Sequence, residues 1–410
     1  MKADIVIVGG GASGLIAAIE AKKLCPSAKV VIAERLDRIG RKILATGNGR
    51  CNLSNMLLNG KHYHGSVNAM DIIGKTPSAA DYFEEFGVLC VSDSEGRVYP
   101  HSNSAATVLN ALRLRTAALD INELCGYELK SYEKNKNGYI LRSAAGDELS
   151  CKRVIIAAGG YAAPSFGTDG GVLRMLKEKG YKLAKICPAV APLRVRQETM
   201  KGLKGIRVKG RISAVCGERI LKEEMGEIQF TENSVSGICV FNLAYLFQNY
   251  EGRLALHADI APDMDEKRIM EYLSMIRKSR AESALEELLT GMFVKNLAVY
   301  ITKRVLKRPL TDKISTVSDS EIKALARKVK CLEFEISGCS SWQNAQSTCG
   351  GIHVDCVDER LESRLEKGVY LCGEILDTDG DCGGFNLQWA WSSGMWAGRS
   401  CAASLKGERV

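Results

Sequence analysis

The sequence lacks the patterns that would indicate a metal centre or a disulfide framework. Only 5 of its 410 residues are histidine, and neither these nor the cysteines fall at the short spacings typical of zinc ligands. There are 15 cysteines, but no C-x-x-C pair occurs among them. A chain of this length without such patterns does not depend on a disulfide framework. We therefore expect no metal ligands, and reduced thiols in a cytoplasmic protein.

Proline and long apolar segments are also scarce. The chain has 8 prolines, and no uninterrupted apolar run is long enough to span a bilayer. A strand begins within a few residues of Met1, so we expect no targeting segment before it. Glycine is abundant, at 40 residues, which suits nucleotide-binding turns, and the net charge of +8 favours anionic ligands without indicating nucleic acid. The length predicts two or three domains.

The N-terminus carries a dinucleotide-binding pattern. An apolar run over residues 3–8 predicts a buried strand, and a helix is predicted from about Ala12 to Leu24. A second apolar run, residues 30–33, ends in Glu34, which lies twenty residues after the last glycine of a G-x-G-x-x-G motif, a spacing typical of a carboxylate that binds ribose hydroxyls. The three glycines of the motif are Gly9, Gly11 and Gly14. NAD and FAD both use such a unit, and Arg35 makes a 2′-phosphate conceivable, although Glu34 argues against it.

The segment after Glu34, residues 40–52, reads GRKILATGNGRCN and is rich in glycine and positive charge. A loop at this place lies over the carboxyl end of the sheet, where an extended cofactor such as FAD runs. The candidates are Gly47, Asn48 and Gly49 for backbone donors to the flavin, and Lys42 and Arg50 for charge balance. A mobile basic surface loop is the alternative. Cys51 has no second cysteine beside it, as a flavin disulfide reductase would need, so we interpret its thiol as structural.

Two further segments fit the flavin end of the cofactor. A buried-strand run over residues 154–158 ends in a glycine pair, with Ala158 and Gly159 as candidates for close approach. Near the C-terminus, GVYLCGEILDTDGDCGGFNLQWAWSSG combines a strand, an acidic turn, a glycine pair and a helix from about Asn386. Carboxylates accept hydrogen bonds from ribityl hydroxyls, and a helix N-terminus stabilises negative charge on the reduced ring.

Together, GGGASG, the loop GRKILATGNGRCNLSN, AAGGYAAPSFGTDGG and the C-terminal block resemble the HI0933-like family of bacterial flavoproteins. The resemblance implies an α/β fold: a glutathione-reductase-type FAD-binding Rossmann domain built from both chain ends, an inserted β-rich domain and a small helical domain. Combining it with the motifs, we predict an FAD-binding set of Gly9, Gly11, Ala12, Ser13, Gly14, Glu34, Arg35, Lys42, Gly47, Asn48, Gly49, Arg50, Cys51, Leu129, Ala158, Gly159, Gly373, Glu374, Asp379, Gly383, Gly384, Asn386 and Leu387.

The change of pattern after Pro188 sets the expected domain boundaries. The FAD-binding domain takes residues 1–188 and 349–410. The β-rich domain takes 189–260 and returns at 331–348, and a helical subdomain takes 261–330. Within the latter, apolar residues recur at three- and four-residue intervals over 284–293, so we predict a helical stretch across residues 262–308. Another helix is predicted over 319–330.

The activities that the resemblance implies are reduction of 3-oxo-Δ4 or Δ6 bile-acid intermediates and oxidation of aminoacetone. Our leading interpretation is reduction of an enone by FAD, with NADH or NADPH as a transient co-substrate, because no second dinucleotide motif is present. Tyr99, His101 and Tyr161 are the candidate proton donors. Cys382 and His101 depart from the residues expected at their positions, which leaves the substrate open.

Two alternatives remain. The protein could be an FAD-dependent amine oxidase that uses O2, or an FAD-dependent protein that modifies or binds RNA. For the latter, residues 194–211 carry seven basic residues against one acid, although no interleaved aromatic residues support base stacking. We interpret this stretch as the solvated face of a sheet. His62 and His64 are interpreted as surface-loop residues, and His353 as a residue that caps a turn.

Overall fold

The structure is a computed structural model of the chain and describes residues 1–250 and 252–407. The chain forms two compact units. The first comprises Met1–Ala189 and the segment that begins at Trp342, and the second comprises Val190–Ser341. The chain therefore leaves the first unit once and returns to it once, which is the connectivity of an inserted domain. In the described ranges, no helix has the length and apolar character needed to cross a membrane.

The elements of the first unit before the insertion are the strands β1 (Ile5–Val8), β2 (Val30–Glu34), β3 (Ser54–Asn55), β4 (Tyr63–His64), β5 (Cys90–Ser92), β6 (Arg97–Pro100), β7 (Asn122–Cys125), β8 (Leu129–Asn135), β9 (Gly138–Ser143), β10 (Glu148–Cys151), β11 (Arg153–Ile156) and β12 (Cys187–Ala189). The helices of this segment are α1 (Ala12–Leu24), α2 (Arg41–Ala45), α3 (Ala69–Ile73), α4 (Ala79–Glu84), α5 (Ala105–Ala118) and α6 (Gly171–Glu178).

The second unit contains β13 (Leu193–Val195), β14 (Arg207–Cys216), β15 (Arg219–Phe230), β16 (Ser234–Ser236), β17 (Ala255–Asp259) and β18 (Leu332–Cys339). Its helices are α7 (Gln197–Met200), α8 (Ile238–Phe241), α9 (Leu246–Asn249), α10 (Glu266–Ser279), α11 (Lys295–Leu306) and α12 (Asp319–Lys330). The returning segment of the first unit adds β19 (Ser347–Cys349), β20 (Val369–Leu371), β21 (Asp379–Gly380) and α13 (Phe385–Lys406).

A five-stranded parallel sheet lies at the centre of the first unit, in the order β20-β11-β1-β2-β7. Every residue of β1 and β2 is buried, as expected for apolar strands covered on both faces. Because β20 comes from the returning segment and the other strands precede the insertion, one sheet is built from both parts of the chain. This confirms the predicted α/β class.

Two glycines let α13 lie directly on α1. A Cβ on Gly394 would be 2.4 Å from the carbonyl oxygen of Ser13, and a Cβ on Gly398 would be 2.4 Å from that of Ala17. Gly394 and Gly398 are four residues apart and therefore share one face of α13. The backbones of the two helices touch along this face, so the long C-terminal helix is held against the helix that follows the glycine turn.

The second unit is built on a closed barrel with the strand order β13-β16-β15-β14-β17-β18. Leu193 of β13 pairs with Val235 of β16 and with Cys339 of β18, which closes the ring. The helices α10, α11 and α12 follow β17 or precede β18 in the chain. This unit contains the β-rich and helical parts that the sequence predicts.

The prediction that residues 262–308 are helical is wrong for the middle of this range. α10 ends at Ser279 and α11 begins at Lys295, and between them only Leu285–Glu287 form a short 3-10 turn. The backbone there pairs with a distant segment instead: the Leu285 N–H donates to the carbonyl of Asp312 at 2.9 Å. Leu285, Leu288 and Leu289 are buried as their spacing suggests, but the backbone hydrogen-bond partners of this segment are not local.

Candidate active site

The glycine turn between β1 and α1 has the geometry of a dinucleotide-binding loop. A Cβ on Gly9, whose φ is +103°, would lie 2.5 Å from the carbonyl oxygen of Ala157, and a Cβ on Gly14 would lie 1.9 Å from that of Gly9. In front of Gly11, by contrast, nothing in the described chain lies within 4 Å of the position that a Cβ would take. Gly11 is the N-cap of α1. The N-terminus of this helix therefore faces open space, which suits a pyrophosphate group.

Glu34, at the end of β2, holds two backbone N–H groups beside this turn. Its Oε2 accepts a hydrogen bond from Gly10 at 2.8 Å, and its Oε1 accepts one from Leu36 at 2.9 Å. Its own carbonyl accepts from the N–H of Tyr127 at 2.9 Å. The segment that leads to Leu129 therefore runs alongside the end of β2. The remaining lone pairs of the carboxylate can accept from ribose hydroxyls.

The basic loop forms a tight turn. Four residues within 47–51 have positive φ angles: Gly47 at 57°, Asn48 at 55°, Gly49 at 83° and Cys51 at 59°. A Cβ on Gly47 would lie 2.8 Å from the backbone nitrogen of Asn52, so the turn needs glycine at this position. The backbone of the loop is thereby brought against the residues that lead into β3.

The side chains of the loop have separate roles. The Arg50 guanidinium lies over the ring of Tyr99, 4.7 Å from its centre, and Tyr99 is buried. The Cys51 thiol is fully buried, and burial raises its pKa to about 12. Cys51 is therefore a neutral thiol near pH 7. It shapes the loop through its positive φ angle, and its sulfur has no role as a charged group there.

Asn52 supplies a buried acceptor where the loop meets the C-terminal block. Its Oδ1 is buried without a hydrogen-bond partner among the described residues. A Cβ on Gly384 would lie 2.7 Å from this oxygen and 2.2 Å from the carbonyl oxygen of Ser54. Buried acceptors are normally satisfied, so the site fits a ligand that brings a donor, such as a ribityl hydroxyl or the flavin N3–H. We did not predict Asn52 as a site residue, although it ends the basic loop.

A hydrogen-bonded network joins four distant segments beside the glycine pair. Lys42 Nζ lies 2.8 Å from Glu374 Oε2, and Glu374 Oε1 accepts from the Thr348 N–H at 2.8 Å. The Thr348 hydroxyl in turn accepts from the N–H groups of Tyr161 at 2.8 Å and Ala162 at 3.1 Å. Lys42 therefore neutralises Glu374 in the structure. Thr348 lies in no recognisable sequence motif. It joins Glu374 to the backbone at Tyr161 through contacts that only the folded chain brings together.

The glycine pair and Gly373 border the same region. Gly159, with φ at +73°, follows Ala158, whose Cα would lie 3.1 Å from a Cβ on Gly9. A Cβ on Gly373 would lie 2.3 Å from Ser13 Oγ, and the Gly373 N–H donates to Ser393 Oγ of α13 at 2.9 Å. The ends of β11 and β20 are thus held against the first turn of α1, which begins with Ala12 and Ser13.

The acidic turn before α13 is paired with two histidines. His62 Nδ1 lies 3.0 Å from Asp381 Oδ2, and His64 Nδ1 lies 3.4 Å from Asp379 Oδ2. Pairing of β21 with β4 brings these residues together. The interpretation of His62 and His64 as surface-loop residues is wrong, because their side chains are only 31% and 15% exposed and pair with buried aspartates. Burial raises the pKa of the Asp379 carboxyl above its ordinary value, although His64 partly opposes the shift.

The start of α13 is fixed by Asn386. Its Oδ1 accepts from the Gly380 N–H at 2.9 Å, and its Nδ2 donates to the Gly380 carbonyl at 2.7 Å. Gly383 and Gly384 have φ angles of +134° and +102°. Asn386 therefore closes the acidic turn with its side chain, and Leu387 packs against the core of the unit. Burial raises the pKa of Cys382, next to this turn, to about 11.

Some candidates lie away from these contacts. His101 is exposed after β6. Arg35 forms ion pairs with Glu128 at 3.3 Å and Asp169 at 3.0 Å, so it is engaged by protein carboxylates. His353 accepts at Nδ1 from the Asp355 N–H at 3.3 Å, which matches the capping role that we expected.

Comparison with known proteins identifies the family. The chain matches the HI0933-like protein Rossmann domain over residues 3–400. The chain belongs to the HI0933-like family. Its HI0933-like relatives include a 3-dehydro-bile acid delta(4,6)-reductase from Clostridium scindens, which is 33% identical over 97% of this chain and 98% of that protein. A ribosomal RNA dihydrouridine synthase from Haemophilus influenzae is 25% identical over 98% of each chain.

Solved structures share the fold of this HI0933-like protein. The 3-ketosteroid delta1-dehydrogenase from Sterolibacterium denitrificans has a TM-score of 0.53 at 13% identity, over 98% of this chain and 100% of that one. A quinol-fumarate reductase has a TM-score of 0.52 at 15% identity, over 98% of this chain and 71% of that one. The predicted Rossmann-type FAD-binding domain with a β-rich insertion is confirmed, and the protein is a flavin-dependent oxidoreductase.

Proposed function

We propose that this protein reduces a carbon–carbon double bond conjugated to a carbonyl group in a steroid- or bile-acid-like substrate, with NADH or NADPH as the electron donor. The identity of 33% to the Clostridium scindens reductase over nearly the whole chain carries the proposal. The relatives named dihydrouridine synthases support the same chemistry. Dihydrouridine differs from uridine by saturation of a double bond conjugated to a carbonyl.

FAD, when bound, supplies the hydride chemistry. The chain must then orient the enone, polarise its carbonyl and deliver a proton to the α-carbon. Tyr161 is the best placed of the three candidate donors. It follows the glycine pair, its N–H is held by Thr348, and its hydroxyl lies 3.4 Å from an Arg174 guanidinium nitrogen. Tyr99 is buried beneath Arg50 and His101 is exposed, which makes each a weaker candidate.

A basic cleft beside Tyr161 supports a nicotinamide donor. The cleft has a volume of about 640 Å³, and its lining includes the cations Arg174, Lys177, Lys182 and Lys185 together with the apolar side chains of Leu183 and Ile186. Lys182 is paired with the exposed Asp355. Cationic side chains around an apolar floor suit a dinucleotide, whose phosphates need charge and whose rings need a flat surface. This cleft therefore offers a place for the donor without a second Rossmann motif.

The RNA alternative draws on the dihydrouridine synthase relatives rather than on residues 194–211. Three basic residues of that stretch face carboxylates of the same unit: Lys204 pairs with Glu232 at 3.0 Å, Arg207 with Glu227 at 3.3 Å, and Arg211 with Glu223 at 3.4 Å. Such pairing favours the solvated sheet face. The oxidase alternative has no separate support from the geometry and is decided by the same kinetic experiment.

Anaerobic stopped-flow spectroscopy tests the proposal. We expect NADH or NADPH to bleach the flavin absorbance, and a 3-oxo-Δ4 bile acid to restore it faster than O2 does. Failure of both nicotinamides to bleach the flavin would remove the reductase proposal, and faster reoxidation by O2 with peroxide release would favour an oxidase. Reoxidation by a uridine-containing ribosomal RNA fragment, but not by the bile acid, would favour the RNA substrate.

Two variants test which residues act in flavin reduction by the nicotinamide and which act in flavin reoxidation by the enone. Tyr161→Phe should slow reoxidation of the flavin by the enone much more than reduction of the flavin by the nicotinamide, because only the reaction with the enone uses the proton of the tyrosine hydroxyl. Lys177→Ala should raise the KM for the nicotinamide by about two- to fivefold, as expected for one exposed ion pair. Lys323, an exposed lysine of α12, provides the matched control: Lys323→Ala should leave both steps unchanged.

A further inference from the structure

Two cysteines face each other in the small sheet that joins the segments of the first unit. β12 and β19 are antiparallel, and Cys187 lies directly opposite Cys349 in their register. Opposite residues of an antiparallel pair have Cα atoms about 4.5 or 5.5 Å apart. Both values fall within the range of about 4.4 to 6.8 Å that disulfides span. The two side chains point to the same face of the sheet, so their sulfur atoms can meet without movement of the backbone.

The surroundings distinguish this pair from the other thiols. Both side chains are buried, and with Ala189 they form a small apolar cluster of their own. Hydrogen bonding to the Cys349 thiol holds the pKa of Cys187 below its ordinary value although burial opposes this, whereas burial raises the pKa of Cys51 and Cys372 to about 12. The lowered pKa gives Cys187 a larger thiolate fraction than Cys51 or Cys372 at the same pH.

We propose that Cys187 and Cys349 form a redox-active dithiol that peroxide oxidises reversibly to a disulfide. The Cys187 thiolate attacks a peroxide oxygen, the O–O bond breaks, and one water and a sulfenic acid result. The Cys349 sulfur then attacks the sulfenic sulfur, the S–S bond forms and a second water leaves. The two thiols together lose two protons and two electrons, which the peroxide takes up. A dithiol reductant reverses the reaction by thiol–disulfide exchange.

The position of the pair gives the bond two consequences. It would join the end of the first segment of the first unit to the start of its second segment, and so close a loop that contains the whole of the second unit, Val190–Ser341. Closing a long loop restricts the unfolded chain. Cys349 also follows Thr348, whose hydroxyl holds the backbone at Tyr161. The bond would therefore fix the strand that positions this part of the site. The proposal does not depend on which substrate the enzyme reduces.

Peptide mapping of the full-length FAD-loaded protein tests it. The protein is treated with hydrogen peroxide, its remaining thiols are blocked by alkylation, and it is digested with trypsin. Trypsin places Cys187 in the peptide 186–194, which has no other cysteine, and Cys349 in the peptide 331–360, which has four cysteines. Fragmentation of the linked pair must therefore assign the second sulfur. We expect a Cys187–Cys349 link that disappears after treatment with dithiothreitol.

Variants and intact mass complete the test. Cys187→Ser and Cys349→Ser should each abolish the link, and Cys239→Ser, at an equally buried thiol of the second unit, should keep it. The oxidised wild type should lose the mass of two hydrogen atoms and unfold at a higher temperature than the reduced protein. A link from Cys187 to a different cysteine, or oxygen additions at both thiols without a link, would overturn the proposal.

Discussion

The Glu34 carboxylate provides the sharpest single perturbation, because both of its oxygens are in use. Oε2 accepts from Gly10 at 2.8 Å and Oε1 accepts from Leu36 at 2.9 Å. In Glu34→Gln the side chain keeps one acceptor oxygen, and its NH2 group faces the other backbone donor. A hydrogen bond to a charged group, worth about 1.5 to 3 kcal/mol, is lost, and a buried N–H remains without an acceptor. We expect the free energy of unfolding of the apoprotein to fall by about 2 to 4 kcal/mol.

FAD binding should weaken for the same reason. The amide offers fewer acceptor positions to the ribose hydroxyls, and the turn that carries Gly10 is no longer held. Loss of about 1 to 2 kcal/mol of binding free energy corresponds to a Kd about five- to thirtyfold higher. Urea denaturation of the apoprotein and fluorescence titration with FAD measure the two effects. Glu128→Gln is the control, because Glu128 is exposed and, within residues 1–250 and 252–407, its carboxylate forms an ion pair only with the partly exposed Arg35. Wild-type urea stability together with wild-type FAD affinity in Glu34→Gln would refute this reasoning.

Three other predictions concern packing and charge in the first unit. Gly394→Ala should lower the free energy of unfolding by about 1 to 3 kcal/mol, because the new Cβ meets the backbone of α1. This loss should exceed the gain of about 1 kcal/mol from the higher helix propensity of alanine. Thermal unfolding measures the loss, and an unchanged Tm would contradict it. Arg399→Met should cost about 2 to 3 kcal/mol in urea denaturation, since the buried Glu20 carboxylate loses a partner 2.6 Å away. Burial raises the pKa of the Asp379 carboxyl in the folded protein. The folded state therefore favours the protonated carboxyl, and the stability that this gives at low pH is lost as the pH rises through the folded-state pKa. The apoprotein of Asp379→Asn should therefore gain stability relative to the wild type as the pH rises above about 4, the ordinary pKa of aspartate, and parallel pH profiles would count against this.

The parts of the site that could be predicted from the sequence are those formed by residues close together in the chain. The helix predicted over residues 12–24 has those bounds in the structure, and the predicted glycine turn and Glu34 lie together because one βαβ unit fixes both. Long-range partners could not be predicted. Asn52 lies beside Gly384, more than three hundred residues away in the sequence, and the Thr348 hydroxyl binds the backbone of Tyr161, 187 residues away. Only the fold creates these contacts.

The same limit explains two errors. His62 and His64 have no acidic neighbour in the sequence, and pairing of β4 with β21 places carboxylates beside them. The segment between α10 and α11 has helical apolar spacing, but its backbone pairs with residues near Asp312. Side-chain periodicity reports which residues are buried, and it does not report where the backbone finds its hydrogen-bond partners.

Titration of the apoprotein with FAD tests the central claim most directly. We expect one FAD to bind per chain and FMN to bind far more weakly, because the proposed FAD site assigns the glycine turn and Glu34 to the part of the cofactor that FMN lacks. Glu34→Gln should reduce the difference between the two flavins. An apoprotein that binds no FAD, or that binds FMN as tightly as FAD, would contradict the account.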